Sequence, residues 1–138
     1  MKYILVLIFS ITALFAVDGR VVFDKDCSSC HRYKVSKYDF AKEKHSLKAP
    51  PMNEISRRIK TRIKVYNEDI HRFAVVSFIK EYIKHPSFDY YMCDDTAIAK
   101  FDIMPAITNL SDDEYQAVAE WVYDEYSIEE YDKPITKK

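Results

Sequence analysis

A single glycine, Gly19, serves a chain of 138 residues. Tight hairpins and many other turns need backbone at positive φ, which glycine supplies at little steric cost. A chain almost without it leans towards helices rather than a turn-rich all-β architecture. Apolar residues make up 48%, inside the globular range. The length suits one domain with a modest core rather than two.

Residues 1–17, MKYILVLIFSITALFAV, place Lys2 ahead of an apolar run from Tyr3 to Val17, broken only by Ser10 and Thr12. That run is shorter than the about 20 residues of a spanning helix. It predicts an export signal with cleavage near Ala16, leaving residues 18–138 as the mature domain. The competing expectation is an uncleaved membrane anchor. Export matters because cysteines commonly pair in an oxidising compartment, and an odd third then stands out.

Net charge is −1, but it is unevenly spread. Residues 18–64 hold 13 Lys/Arg against 6 Asp/Glu, whereas residues 65–138 hold 7 against 16. Such asymmetry can steer charged partners. Solvated helix faces produce the same pattern.

No strand pattern with hairpin signals follows residue 18. Four helical segments are expected instead. The first runs from about Gly19 to Cys27, with Val22, Phe23 and Asp26 one turn apart. The second starts at Asn53 and carries Ile55, Ile59 and Ile63 at i, i+4 spacing. The third has Asn67 as N-cap and Glu68 and Asp69 at the positive helix end. It continues through Ile70, Phe73, Ala74, Phe78 and Tyr82 until His85-Pro86 stops it.

The fourth begins at Ser111, which with Glu114 forms an S-x-x-E capping box. Leu110 and Tyr115 occupy hydrophobic-staple positions there. Tyr115, Val118, Ala119, Val122 and Tyr126 then share one face. Residues 32–52 and 85–110 read as connections, the latter with a short helix around Thr96–Phe101. Connections this long usually wrap something functional.

Residues 27–31 read C-S-S-C-H. A structural zinc site needs about four ligands in two pairs. The remaining candidates, Cys93, His45, His71 and His85, have no paired spacing. A thioredoxin-like dithiol belongs to a βαβ pattern, which is absent. A plain disulfide between Cys27 and Cys30 remains open, but gives His31 no reason to follow. C-x-x-C-H is also the attachment signature of c-type haem: two thiols on one turn can add to two vinyl groups, beside an imidazole for the iron.

Residues 19–31, G-x-x-x-F-x-x-x-C-x-x-C-H, resemble the N-terminal helix and haem-binding segment of small monohaem c-type cytochromes. The resemblance puts Gly19 where that family crosses its N- and C-terminal helices, and makes Trp121 the partner of Phe23. Ala49-Pro50-Pro51-Met52 matches the family's G-P-x-L-like segment, with Ala49 replacing glycine. That match implies that the Pro50 carbonyl receives the proximal histidine's Nδ1–H, and that Met52 packs on the haem. F-D-I-M-P-A matches the family's second-ligand loop, with Asp102 where glycine is common and Ala106 where a second proline is common. His31 and Met104 are thereby implied as axial ligands, and Cys27 and Cys30 as thioether anchors.

Met52 and Met92 are rivals to Met104, and a bis-histidine centre is the sharper one. Cys93 is left over by this arrangement, either as a small buried apolar residue or as a thiol for intermolecular pairing or redox sensing. The basic run Arg57, Arg58, Lys60, Arg62, Lys64 reads as a solvated helix face rather than a nucleic-acid site.

The resemblance covers most of the mature chain, residues 56–100 in character only. It implies an all-α, cytochrome c-like fold whose terminal helices cross and whose other helices and loops wrap one haem c. It implies a periplasmic monomer, not an enzyme. Such a protein passes single electrons between respiratory redox proteins, membrane-bound complexes or periplasmic reductases, and takes no small-molecule substrate. Two other functions stay in view: a haem-based ligand sensor with a weak or absent sixth ligand, and an exported thiol-disulfide protein without haem.

Overall fold

The computed structural model of the protein describes residues 16–90, 92 and 95–131. Cys93 and most of the expected export signal lie outside the described residues. Among the described residues every regular element is helical, so the chain is all-α. No described helix is long and apolar enough to cross a membrane.

Helix α1 spans Gly19–Val22 and runs directly into a π-helical turn over Phe23–Cys27. Then follow α2, Lys37–Glu43, α3, Met52–Arg62, and α4, Glu68–Lys84. After a 3₁₀ turn at Phe88–Tyr90 come α5, Asp95–Phe101, α6, Asp112–Glu125, and α7, Ile128–Tyr131.

Helix α6 is the hub, packed on α1, α3 and α4. Ser111 and Glu114 make the reciprocal capping box, and Tyr115, Val118, Ala119 and Val122 are all buried. Alpha1 crosses it at Gly19. A Cβ built there would sit 2.1 Å from the Ala117 carbonyl oxygen and 2.5 Å from Trp121 Cβ. Only a residue without a side chain fits that crossing. One turn on, Phe23 is buried with its ring 4.8 Å from that of Trp121. Burying a phenylalanine contributes about 1.5–3 kcal/mol. The Arg20 guanidinium covers Tyr33 at 4.2 Å.

Helix α4 starts at Asn67, whose side chain accepts from the Ile70 amide. Its core side is Val75, Val76, Ile79 and Ile83. Ile70 and Phe73 are exposed instead, because the face turned to α3 and α6 runs through His71 and Arg72 in the first turns. On α3, Ile59 is buried and Ile55 and Ile63 are partly buried. The same helix also buries Asn53, Glu54 and Ser56. Ser56 Oγ donates to the Val122 carbonyl at 2.8 Å, a direct bond from α3 to α6.

Alpha2 falls inside a stretch expected to be a connection. It buries no residue fully, so it leaves no apolar stripe to read. Its start signal is local: Ser36 Oγ accepts from the Asp39 amide at 2.9 Å.

Candidate cofactor cavity

The π turn positions the first site residues. The Ser28 amide donates to the Phe23 carbonyl at 2.9 Å, an i→i+5 bond, and Ser28 Oγ donates to the Asp24 carbonyl at 2.6 Å. Single π turns of this kind occur often at functional sites. The amides of Cys30 and His31 both donate to the Cys27 carbonyl, at 3.2 and 3.0 Å. One turn thus presents two thiols and an imidazole together.

These groups open onto a cavity of about 340 Å³. Its walls are mostly apolar: Ile55 and Ile59 of α3, Phe78, Ile79 and Ile83 of α4, Ile98 and Phe101 of α5, and Val118 and Val122 of α6. All six expected site residues, Cys27, Cys30, His31, Pro50, Met52 and Met104, line this one cavity. So does Met92.

His31 Nδ1 lies 2.8 Å from the Pro50 carbonyl oxygen. A carbonyl only accepts, so Nδ1 carries the proton and Nε2 keeps its lone pair. Burial holds the imidazole below its ordinary pKa, against the opposing Pro50 bond. The ring is therefore a neutral donor at pH 7. The segment behind it is tied down by the Met52 amide on the Arg32 carbonyl, 2.9 Å. The Asn53 amide clasps Val35 twice, at 2.7 and 3.2 Å.

Both Cys27 and Cys30 are free thiols. Burial first, then Asp26 and Cys30, pushes Cys27 up to about 11. It is a protonated, weakly nucleophilic thiol at neutral pH, unlike the depressed thiols of dithiol exchange centres.

Met104 sits on a loop fixed at both ends. Asp102 closes α5 with its amide on the Ile98 carbonyl at 2.9 Å. It then adopts φ 60, the left-handed region. Aspartate tolerates that region better than most residues, and its own Oδ1 accepts from the Ile103 amide at 2.8 Å. Downstream, the Ile107 amide bonds the Ile83 carbonyl at 3.1 Å, and Tyr115 Oη donates to the Ile107 carbonyl at 2.5 Å.

The other histidines are placed elsewhere. His71 spends both ring nitrogens, on Tyr123 Oη at 3.1 Å and the Lys60 carbonyl at 3.0 Å. His45 and His85 are exposed. Among the described residues no three His, Cys, Asp or Glu side chains converge to hold a bare metal ion.

The basic run 57–64 is a solvated face only in part: Arg62 and Lys64 are exposed. Arg57 and Arg58 do not face solvent alone: they hold the buried Glu54 carboxylate at 2.7–3.0 Å. Lys60 donates to the Tyr126 carbonyl at 2.5 Å. Glu54 and Arg58 also line the cavity, as does Asp26, and sequence reasoning missed all three as site residues. The one available signal for Glu54 was its i, i+3 and i, i+4 spacing to the arginines.

The chain is 36% identical over 128 residues to an uncharacterized protein of Aquifex aeolicus (strain VF5), across 82% of this chain and 80% of that protein. No protein-family model matches it, and no solved structure matches it.

Proposed function

The chain belongs to the family of that Aquifex aeolicus protein, and we propose from its own site that it is a monohaem c-type cytochrome carrying single electrons between redox proteins. The observation that carries this is the His31–Pro50 bond. It leaves a neutral imidazole with Nε2 unprotonated, on the same turn as two thiols, in an apolar cavity that Met104 also lines.

The residues fit such a group. Cys27 and Cys30 would anchor it through thioethers, which suits a buried, protonated Cys27 better than dithiol exchange. His31 and Met104 would ligate its iron, and Met52, buried against the cavity, would pack on it. Bound haem supplies a one-electron ferric/ferrous couple. The apolar walls exclude water, and the bonds that fix His31 and the Met104 loop keep both donors in place. The Gly19 crossing and the Phe23–Trp121 contact support a cytochrome c-like fold.

The apolar N-terminal segment supports export to the periplasm, where the protein would act as a monomer on donor and acceptor proteins. Expression of the full chain with haem-attachment machinery tests the reading. We expect a Soret band, and haem that stays with the polypeptide on a denaturing gel, lost when Cys27 and Cys30 are both replaced by alanine. A colourless protein overturns it.

A further inference from the structure

Among the described residues three carboxylates line the cavity, Asp26, Glu54 and Asp102. They are compensated differently. Glu54 is buried but neutralised by two guanidinium groups. Asp102 is exposed to water. Asp26 is compensated only in part. Its side chain is 12% exposed, and Asn109 Nδ2 donates to Oδ1 at 3.3 Å. Oδ2 is buried with no hydrogen-bond partner among the described residues. Oδ2 has instead a loose ion pair with Lys25 Nζ at 3.5 Å, on a side chain that is 62% exposed.

An under-compensated carboxylate against an apolar cavity is costly. A neutral side chain of the same shape would relieve that cost. What the charge can do there follows from electrostatics: a negative charge favours the more positive state of whatever the cavity holds. In a low-dielectric wall this effect is large and poorly screened by salt.

Resting on the haem reading, we infer that Asp26 is a potential-setting residue, its carboxylate held to the cavity by the π turn and Asn109. It favours the ferric state and lowers the reduction potential. It acts through space on the couple and bonds neither the iron nor its ligands.

Asp26→Asn in the haem-loaded full chain is the test. The amide keeps an Oδ1 acceptor for Asn109 and removes the charge. Spectroelectrochemical titration should show the ferrous-to-ferric ratio at fixed applied potential rising on the order of tenfold, 59 mV for one electron, with the absorption spectrum of each state unchanged. Asp26→Glu should stay near wild type, and added salt should leave the shift in place. If Asp26→Asn does not load haem, Asp26→Ser carries the same expectation. A potential equal to or below wild type in a loaded neutral variant overturns the inference. So does failure of both neutral variants to load, since the carboxylate then serves attachment. Absence of haem from the wild-type protein is a different result, and overturns the haem reading itself.

Discussion

His31 Nδ1 and the Pro50 carbonyl oxygen meet at 2.8 Å across nineteen residues of chain. The bond fixes both the tautomer and the orientation of the ring. It also makes the site depend on the 32–52 connection, because Pro50 is held there by the Met52–Arg32 backbone bond and the Asn53 clasp. A connection with little core of its own thereby becomes part of the cavity site.

If His31 supplies one axial bond, the loop residue Met104 should supply the other. In the haem-loaded protein, Met104→Ala is expected to abolish the sulfur-to-iron absorption band, lower the potential and admit carbon monoxide. Met92→Ala should leave all three as in wild type. Ready carbon monoxide binding by the wild-type protein would favour the sensor function instead.

Gly19→Ala should destabilise the fold by about 2–3 kcal/mol, read as a lower urea midpoint at unchanged slope. The added Cβ meets the Ala117 backbone, which cannot swing aside as a side chain can. Val21→Ala, on the exposed side of the same helix, should change stability by no more than about 0.5 kcal/mol.

Asn53→Ala removes both bonds to Val35 and leaves a buried amide and carbonyl unsatisfied. A loss of about 2–4 kcal/mol is expected by chemical denaturation. Hydrogen exchange at Val35 should accelerate at the same time.

With free thiols, Cys27 gives the protein a distinctive alkaline limb. Its folded pKa is raised from 9.0 to about 11. Below pH 9 both states hold the proton and stability is whole. Between pH 9 and pH 11 the unfolded chain ionises first, and about 2–3 kcal/mol is lost. Cys27→Ala should lack that limb, and so should the covalently loaded protein, because a thioether does not titrate. A loaded protein that keeps a Cys27-dependent limb would count against attachment there.

What was legible in the sequence was local or carried by side-chain type. The capping box at Ser111, the N-cap at Asn67, the α6 stripe and C-S-S-C-H each sit within a few neighbouring residues. Asp102 stands out in the sequence only at a glycine position; its φ of 60 and its bond to the Ile103 amide arise only in the folded loop. Asn53, Glu54 and Asp26 were illegible for a different reason. Each is an ordinary polar residue of a helical segment until distant segments bury it, and burial is a property of the whole chain.

The π turn at Phe23–Cys27 has a bearing on how this helix can change over time. A π turn holds one residue more than an α turn would, and each residue of an α-helix advances the azimuth by about 100°. Deleting one residue between Phe23 and Cys27 would let the turn close as an ordinary α turn, with Gly19 and Phe23 still seated on α6 and Cys27 near its present azimuth. The extra residue therefore separates a packing half from a chemical half, and the chain can lose it without turning one against the other.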